Sequence, residues 1–389
     1  KNKKMEKILI LGSGLAGYSL AREIRAIDES IELRMITADA GDFYSKPMLS
    51  NGLAQGKQSQ DLINATAETM SERLKMSIDS NCRVTAIDTE RQRVVTDQGE
   101  RSYTSLVLAL GAQPIIPAMR GDAVQHRITI NSLYDYHRFR QQLPESPAHV
   151  AIIGPGLIGC EFANDLLSQG YQVSLIGPDP HPISTLLPAI TGEALQQAMT
   201  EAGAHWHLQQ TAAIMNRSEQ GYRLTLTDAS TIDCDLVISA VGLLPEMQLA
   251  AKAGLETARG VVTDRLLRTS NERIYALGDC AEVAGFNLPY VMPIMNAARA
   301  LAKTLTGEPS EVVYPAMPVV IKTPLHPIVI APPQRGAPGD WQNHQDQQGT
   351  ECLFHDPQGQ LSGFVLSGQY VERKQALTKQ LPPLLPATA

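Results

Sequence analysis

Two glycine-rich fingerprints, each set between an apolar strand and a helix, constrain this chain more than any other feature. The first is Gly12-Ser13-Gly14-Leu15-Ala16-Gly17, directly after the apolar run 7–11. The second is Gly154-Pro155-Gly156-Leu157-Ile158-Gly159, directly after 149–153. Strand, tight turn and helix is the context in which such a motif binds a dinucleotide. The first glycine allows the turn, the second lets the backbone approach a pyrophosphate, and the third lets the helix pack closely on the strand. The phosphates then meet free N–H groups and the positive end of a helix dipole. A single fingerprint is also compatible with a tight turn that binds nothing. Two, spaced by the length of a whole inserted domain, point to two dinucleotides facing each other, with electrons passing between them.

The sequence after each fingerprint repeats one layout. Residues 18–24 place apolar side chains at helical spacing, and a second strand is expected over 31–36. An acid near the end of such a strand holds the adenosine ribose, and Asp39 is the candidate. Its alternative role is to start the turn before Gly41. In the second unit the helix continues through 162–167, Gly170 is expected to cap it, and a strand over 172–176 leads to Asp179. A 2′-phosphate would call for arginine or lysine here, and none occurs between the fingerprint and Arg217. NADH is therefore expected over NADPH, with His181 the residue that could still meet a phosphate.

Composition excludes several classes. A length of 389 residues allows two or three domains, and 43% hydrophobic with 19% charged residues is ordinary for a water-soluble globular chain. No uninterrupted apolar run approaches the roughly 20 residues of a membrane helix, so no membrane span is expected. The start Lys1-Asn2-Lys3-Lys4-Met5 is basic but lacks the apolar core of a secretory signal. The cysteines, Cys82, Cys160, Cys234, Cys280 and Cys352, are odd in number and scattered. That argues against a disulfide framework or a metal site and suits a reducing cytoplasm. A net charge of −7 gives no encouragement to nucleic-acid binding.

Three later landmarks complete the pattern. Leu106-Val107-Leu108-Ala109-Leu110-Gly111-Ala112-Gln113-Pro114 is an apolar strand ending in a glycine turn. A similar stretch is Leu236-Val237-Ile238-Ser239-Ala240-Val241-Gly242-Leu243-Leu244-Pro245. In Ile274-Tyr275-Ala276-Leu277-Gly278-Asp279-Cys280-Ala281 a buried strand ends in Gly-Asp, where Asp279 can accept from a ribityl hydroxyl or simply cap a turn or helix. In this order the motifs resemble the FAD-dependent pyridine nucleotide oxidoreductases, over about residues 5–310. The resemblance implies an α/β protein with two Rossmann-like dinucleotide-binding domains, one for FAD and one for NAD, plus a small α+β C-terminal domain. Residues 1–115 and 243–315 would form the discontinuous FAD domain, 116–242 the NAD domain and 316–389 the C-terminal domain. It also implies FAD contacts at Gly12, Gly14, Leu15, Ala16, Gly17, Asp39, Lys46, Val84, Asp279, Val291 and Lys322. NADH contacts follow at Gly154, Gly156, Leu157, Ile158, Gly159, Glu161, Asp179 and Gly242.

An absence narrows the choice within the family. Disulfide reductases of this kind carry a cysteine pair after the second FAD strand, and peroxidases a single cysteine, whereas residues 44–53 here contain none. Thiol relay and sulfenic-acid chemistry both need a thiolate beside the flavin. Cys82, in a strand-like run, and Cys160, in the NAD helix, read as small buried residues. Electrons must then leave the flavin directly for an external acceptor. The strings 45–50, 156–165, 290–293 and 320–324 are similar to the branch that reduces rubredoxins, and similarity to that branch extends over nearly the whole chain. The arginine-proline-proline and tryptophan strings of oxygenase-coupled ferredoxin reductases are absent. Rubredoxin is the expected partner, feeding a downstream system such as alkane hydroxylation. The other readings are a flavorubredoxin reductase serving nitric oxide reduction, a ferredoxin reductase, and a non-catalytic flavoprotein that senses NADH.

Hydride transfer needs geometry more than acid–base chemistry. The resemblance places Lys46 near the FAD pyrophosphate or flavin edge and Glu161 near the nicotinamide–flavin junction, where the two would pair and tune the flavin. Their plainer readings are a surface lysine in a proline turn and a first-turn glutamate favoured by the helix dipole. Lys322 follows the apolar residues 319–321, so its charge asks for a partner, and the flavin pyrimidine oxygens would serve. An outward-facing lysine is the alternative. Residues 292–295 should open a helix whose N-terminus faces the flavin. Docking of an acidic rubredoxin on this net-negative chain needs a local basic patch, with Arg335, Arg373, Lys374 and Lys379 as candidates. Residues 332–349 read as a long surface loop, and the oligomeric state stays open.

Overall fold

The structure, a computed structural model, describes residues 7–219 and 221–388, so the basic start Lys1–Met5 lies outside the described residues. Its first layer is a five-stranded parallel sheet in the order Ile274–Ala276, Ser105–Leu108, Lys7–Leu11, Glu32–Ile36, Ser77–Asp79. The central strands are almost wholly buried, which is why they read as continuous apolar runs rather than alternating ones. Helix Leu15–Ile27 follows the first fingerprint and packs beside helix Val291–Leu305, which the residues after Tyr290 open as expected. A small antiparallel sheet, Val84–Asp88, Arg93–Thr96 and Gly99–Ser102, adjoins it. Cys82 lies in the turn just before this sheet, not in a strand.

The second layer repeats the plan. Four parallel strands run in the order Ala204–Leu208, Gln172–Gly177, His149–Ile153, Leu236–Ser239. Helices Leu157–Leu167 and Ala189–Glu201 flank them, and a three-stranded antiparallel sheet, 212–234, adjoins. The two links that carry the chain out of and back into the first layer, Ala112–Pro114 and Leu243–Pro245, pair with each other antiparallel.

The remainder forms a five-stranded antiparallel sheet in the order Val319–Ile321, Ile328–Ala331, Leu361–Ser367, Gly349–His355, Asp340–Asp346. The last of these corrects the expectation of a long loop over 332–349. Asp340–Asp346 is an edge strand paired on one side only, with six exposed residues and Trp341 alone resting on Phe354. With both faces polar it carries no alternation to read. One hydrophobic core joins this sheet, through Ile321, Ile328 and Val365, to the second layer and to Leu49 and Leu53.

Candidate functional site

Both fingerprint turns are built the same way. Gly12 has φ +114° and Gly154 has φ +112°, a region L side chains rarely adopt. A Cβ would also stand 2.1 Å from the Ala109 carbonyl oxygen in the first case and 2.3 Å from that of Ala240 in the second. Each turn is thus pressed against the strand exit that leads to a link. A Cβ on Gly14 or Gly156 would meet nothing within 4 Å, so there the backbone faces open space, as the approach of a pyrophosphate requires. Gly17 and Gly159 differ. A Cβ on them would lie 2.1 Å from the Gly12 oxygen and 1.9 Å from the Gly154 oxygen, and neither lines the cleft. They seat helix on turn instead of facing a ligand.

The turns open onto one continuous cleft of about 2690 Å³, several times the roughly 300–1,000 Å³ of a single small-molecule site. One wall carries Gly12, Gly14, Leu15, Ala16, Asp39, Lys46, Val84, Asp279, Val291 and Lys322. The other carries Gly154, Gly156, Leu157, Ile158, Glu161, Asp179 and Gly242. Charged side chains line it, two of them held in place by protein donors and two left without an ion-pair partner. Asp39 uses Oδ1 to accept from Ser13 Oγ, Thr37 Oγ1 and the Gly41 N–H at 2.7–3.0 Å, which fixes the carboxylate and leaves its other oxygen to the cleft. The turn role and the ligand role of Asp39 therefore coexist. Asp179 is held in the same manner by Ser184 Oγ at 2.5 Å. Burial lowers the Lys46 ammonium below its usual range, opposed by Asp279 and Asp135. Burial raises the Asp279 carboxyl, opposed by Lys46. Neither charged group has an ion-pair partner within 4.0 Å among the described residues. Open backbone at both turns and unspent charge between them fit a dinucleotide in each half.

The expected pairing of Lys46 with Glu161 is not what the fold makes. Glu161 Oε2 accepts from Lys322 Nζ at 2.6 Å and from Ser50 Oγ at 2.7 Å, while Oε1 accepts from the Lys322 N–H at 2.9 Å. Glu161 is 2% exposed, so its charge must be answered, and Lys322 reaches it because strand Val319–Ile321 ends over helix Leu157–Leu167. Lys322 thus spends its charge on Glu161. His181 likewise turns from the cleft, with its Nδ1 against the Pro182 carbonyl.

Two residues beyond the expected set complete the junction, and a third lines the cleft. Asn164 Oδ1 accepts from the Leu325 N–H at 3.1 Å. Asp165 accepts from the Leu53 and Ala54 N–H groups at 3.0 and 2.8 Å. Its carboxyl is pushed up to about 6 by burial, against the pull of those two bonds. Glu161, Asn164 and Asp165 stand at i, i+3 and i+4, one helix face, a polar stripe already present in the sequence. Arg120, exposed on the cleft wall beside Ala213, is the third; no fingerprint spacing marks it.

Cys82 lines the cleft at the Asp39 end, its N–H donating to the Thr37 carbonyl at 2.9 Å. Cys160 and Cys280 are buried, and burial raises both thiols, Cys280 to about 12. Of the basic residues considered for docking, Lys374 and Lys379 come together in one surface groove. Arg373 is committed to Glu351, and Arg335 lies apart from that groove.

Residues 6–303 match the family described as pyridine nucleotide-disulphide oxidoreductase. The chain belongs to that family. Within this pyridine nucleotide-disulphide oxidoreductase, residues 311–381 match a further family, the rubredoxin binding C-terminal domain. The rubredoxin-NAD(+) reductase of Alcanivorax borkumensis is 44% identical over 98% of this chain and all of its own. The nitric oxide reductase FlRd-NAD(+) reductase of Aeromonas hydrophila is 37% identical over 97% of this chain and 96% of its own. The fold is shared with putidaredoxin reductase, solved as a covalent complex with putidaredoxin, at a TM-score of 0.86 and 23% identity over 97% of this chain and 94% of that one. Among the described residues no helix is long and apolar enough to cross a membrane.

Proposed function

We propose that this protein takes hydride from NADH and delivers the electrons one at a time to rubredoxin. The net reaction consumes one NADH and two oxidised rubredoxins and releases NAD(+), two reduced rubredoxins and one proton. FAD, when bound, supplies the conversion of a two-electron donor into single electrons. The observation that carries this reading is the pair of open glycine turns, Gly14 and Gly156, facing one cleft that is also lined by Met317, Pro318, Val319, Val320 and Lys322 of the segment matching a rubredoxin-binding domain. The name of the Alcanivorax relative supports the same partner.

In this reading residues 7–115 and 243–315 hold FAD, with Asp39 on the ribose, Asp279 on the ribityl chain and the Gly14 backbone on the pyrophosphate. Residues 116–242 hold NADH, with Asp179 on its ribose and the Gly156 backbone on its phosphates. Lys46 balances negative charge along the FAD wall. Glu161 and Lys322 neutralise each other at the junction and hold its walls in register. With no cysteine between Tyr44 and Ala54, the exit route is direct transfer to a docked iron protein. The five free, buried cysteines support a reducing cytoplasm. A downstream hydroxylase, such as one acting on alkanes, would consume the reduced rubredoxin. A flavorubredoxin acceptor is the second reading, favoured by the Aeromonas relative at lower identity.

The test is NADH-dependent reduction of purified rubredoxin, followed by loss of its visible absorbance in a stopped-flow instrument. NADPH and a [2Fe–2S] ferredoxin serve as controls. Rapid bleaching with NADH, and little with either control, is the expected result. Turnover with ferricyanide but none with rubredoxin would overturn the partner.

A further inference from the structure

The lysines and arginines that line the cleft are Lys46, Arg83, Arg120, Lys252 and Lys322. Lys46, Arg83 and Lys252 belong to the half given to FAD, and Lys322 is spent on Glu161. Within residues 116–242 Arg120 stands alone among the described residues. The acids lining that same layer are Glu161 and Asp179, and Asp179 has no ion-pair partner among the described residues. A dinucleotide brings two further negative charges on its pyrophosphate. The helix end at Gly156 sets only about half a positive charge against them. The layer is short of cations, and Arg120 is where one has been placed.

The backbone of Arg120 is pinned while its side chain is free. Its N–H donates to the Ala213 carbonyl at 3.0 Å, and its carbonyl accepts from the Met215 N–H at 2.8 Å. Two residues on, Asp122 accepts from the Arg217 N–H at 2.9 Å and donates its own N–H to Asn216 Oδ1 at 3.1 Å. Between them a Cβ on Gly121 would stand 2.1 Å from the Met215 oxygen. The strand gripped in this way, Ala212–Ser218, follows directly on the segment bonded to the Asp179 turn, where Gln209 N–H donates to the Asp179 carbonyl and Gln210 N–H to that of Gly177, both at 3.1 Å. Asp179, Thr211, Ala212, Ala213 and Arg120 all line the cleft. The Arg120 guanidinium is exposed and has no hydrogen bond or ion pair among the described residues.

We infer that Arg120 is a donor-binding residue, its guanidinium meeting the pyrophosphate of NADH. This rests on the proposed function. A guanidinium presents several N–H donors in one plane and pairs with phosphate oxygens two at a time, so it answers charge and fixes orientation together. The work then divides along the wall: Asp179 takes the ribose, the Gly156 turn offers backbone N–H groups, and Arg120 supplies the full positive charge that neither has. Because that contact lies away from the nicotinamide, it is made equally before and during hydride transfer. It therefore strengthens binding and leaves the chemical step alone.

The experiment compares R120A with R217A, the same loss of charge on the neighbouring strand but outside the cleft. With the flavin-loaded proteins, NADH turnover is measured with ferricyanide across ionic strength, and binding of NAD(+), ADP and adenosine by calorimetry. R120A is expected to raise the KM for NADH about tenfold, with kcat at saturating NADH unchanged. It should weaken NAD(+) and ADP by a similar factor, leave adenosine unchanged, and flatten the rise of KM with salt. R217A should match wild type throughout. Should R120A bind NAD(+) and ADP as wild type does, Arg120 is a solvated charge and the inference falls. Should adenosine weaken as much as ADP, the contact is with the adenine ring and the pyrophosphate assignment is overturned. Should wild type fail to oxidise NADH with ferricyanide, it is the proposed function that falls.

Discussion

The two fingerprint helices begin alike and are held differently. Their turns agree to within two degrees in φ, +114° at Gly12 and +112° at Gly154. Helix Leu15–Ile27 then buries Ala16, Tyr18, Leu20, Ala21 and Ile24 in the core of its own layer, and its polar contacts stay within that layer, Ser19 to the sulfur of Met295 at 3.4 Å, Glu23 to Arg299 and Arg25 to the Leu74 carbonyl. Helix Leu157–Leu167 buries every residue from Gly159 to Leu167, among them Glu161, Asn164 and Asp165. All three spend their hydrogen bonds on other parts of the molecule. One helix is fixed by apolar packing, the other by a polar clamp joining three regions. Nucleotide-binding geometry is thus separable from the geometry that sets the two halves against each other.

The strongest way to break the comparison is at the turns. Gly12→Ala and Gly154→Ala each force a Cβ onto a carbonyl at positive φ, a strain of about 1–3 kcal/mol. Gly12→Ala should purify with little flavin, read from its visible absorbance. Gly154→Ala should keep flavin and raise the KM for NADH about tenfold or more. Loss of flavin from both variants would mean that the halves do not bind independently.

Next in size is the clamp itself. Glu161→Gln leaves Lys322 without its counter-charge and should cost roughly 3 kcal/mol, read as a lowered denaturant midpoint. Lys322→Gln should cost a similar amount, and the double variant less than their sum. Additive losses would show that the pair does not act as a unit.

Asp165 gives a smaller effect with a pH signature. Its folded value near 6 exceeds the unfolded value near 3.9, so the folded state prefers the protonated carboxyl. Its contribution to stability is complete below about pH 4 and is lost as pH rises through about 6. Asp165→Asn should therefore gain on wild type over that interval and run parallel to it above. An unchanged difference across the interval would assign the titration to another group. Smallest of all, Ser19→Ala on the first helix should shift stability by less than about 0.5 kcal/mol.

The layered fold was legible because its signals are local. Each fingerprint, each apolar strand and each glycine-ended link is complete within about ten residues. The partner of Glu161 was not, because Lys46 and Lys322 are both single lysines among apolar neighbours. What separates them is how strand Val319–Ile321 comes to lie over a helix far away in the chain. Asn164 and Asp165 were written at helical spacing after Glu161, yet their burial depends on Leu53, Ala54 and Leu325 arriving from elsewhere. The strand Asp340–Asp346 escaped for the opposite reason: pairing on one side holds a sequence that buries almost nothing.

The antiparallel pairing of Ala112–Pro114 with Leu243–Pro245 makes the way into the second layer and the way out of it hydrogen-bonded neighbours. A segment whose ends meet can be lifted out and replaced at a single seam, as inserted domains generally can. If the second layer holds NADH as proposed, the choice of electron donor is open to exchange as a cassette, by recombination or by design, while the acceptor side stays untouched. The incoming cassette has one obligation, to bring its own acceptors at positions 161, 164 and 165, since the rest of the protein has already committed its N–H groups to them.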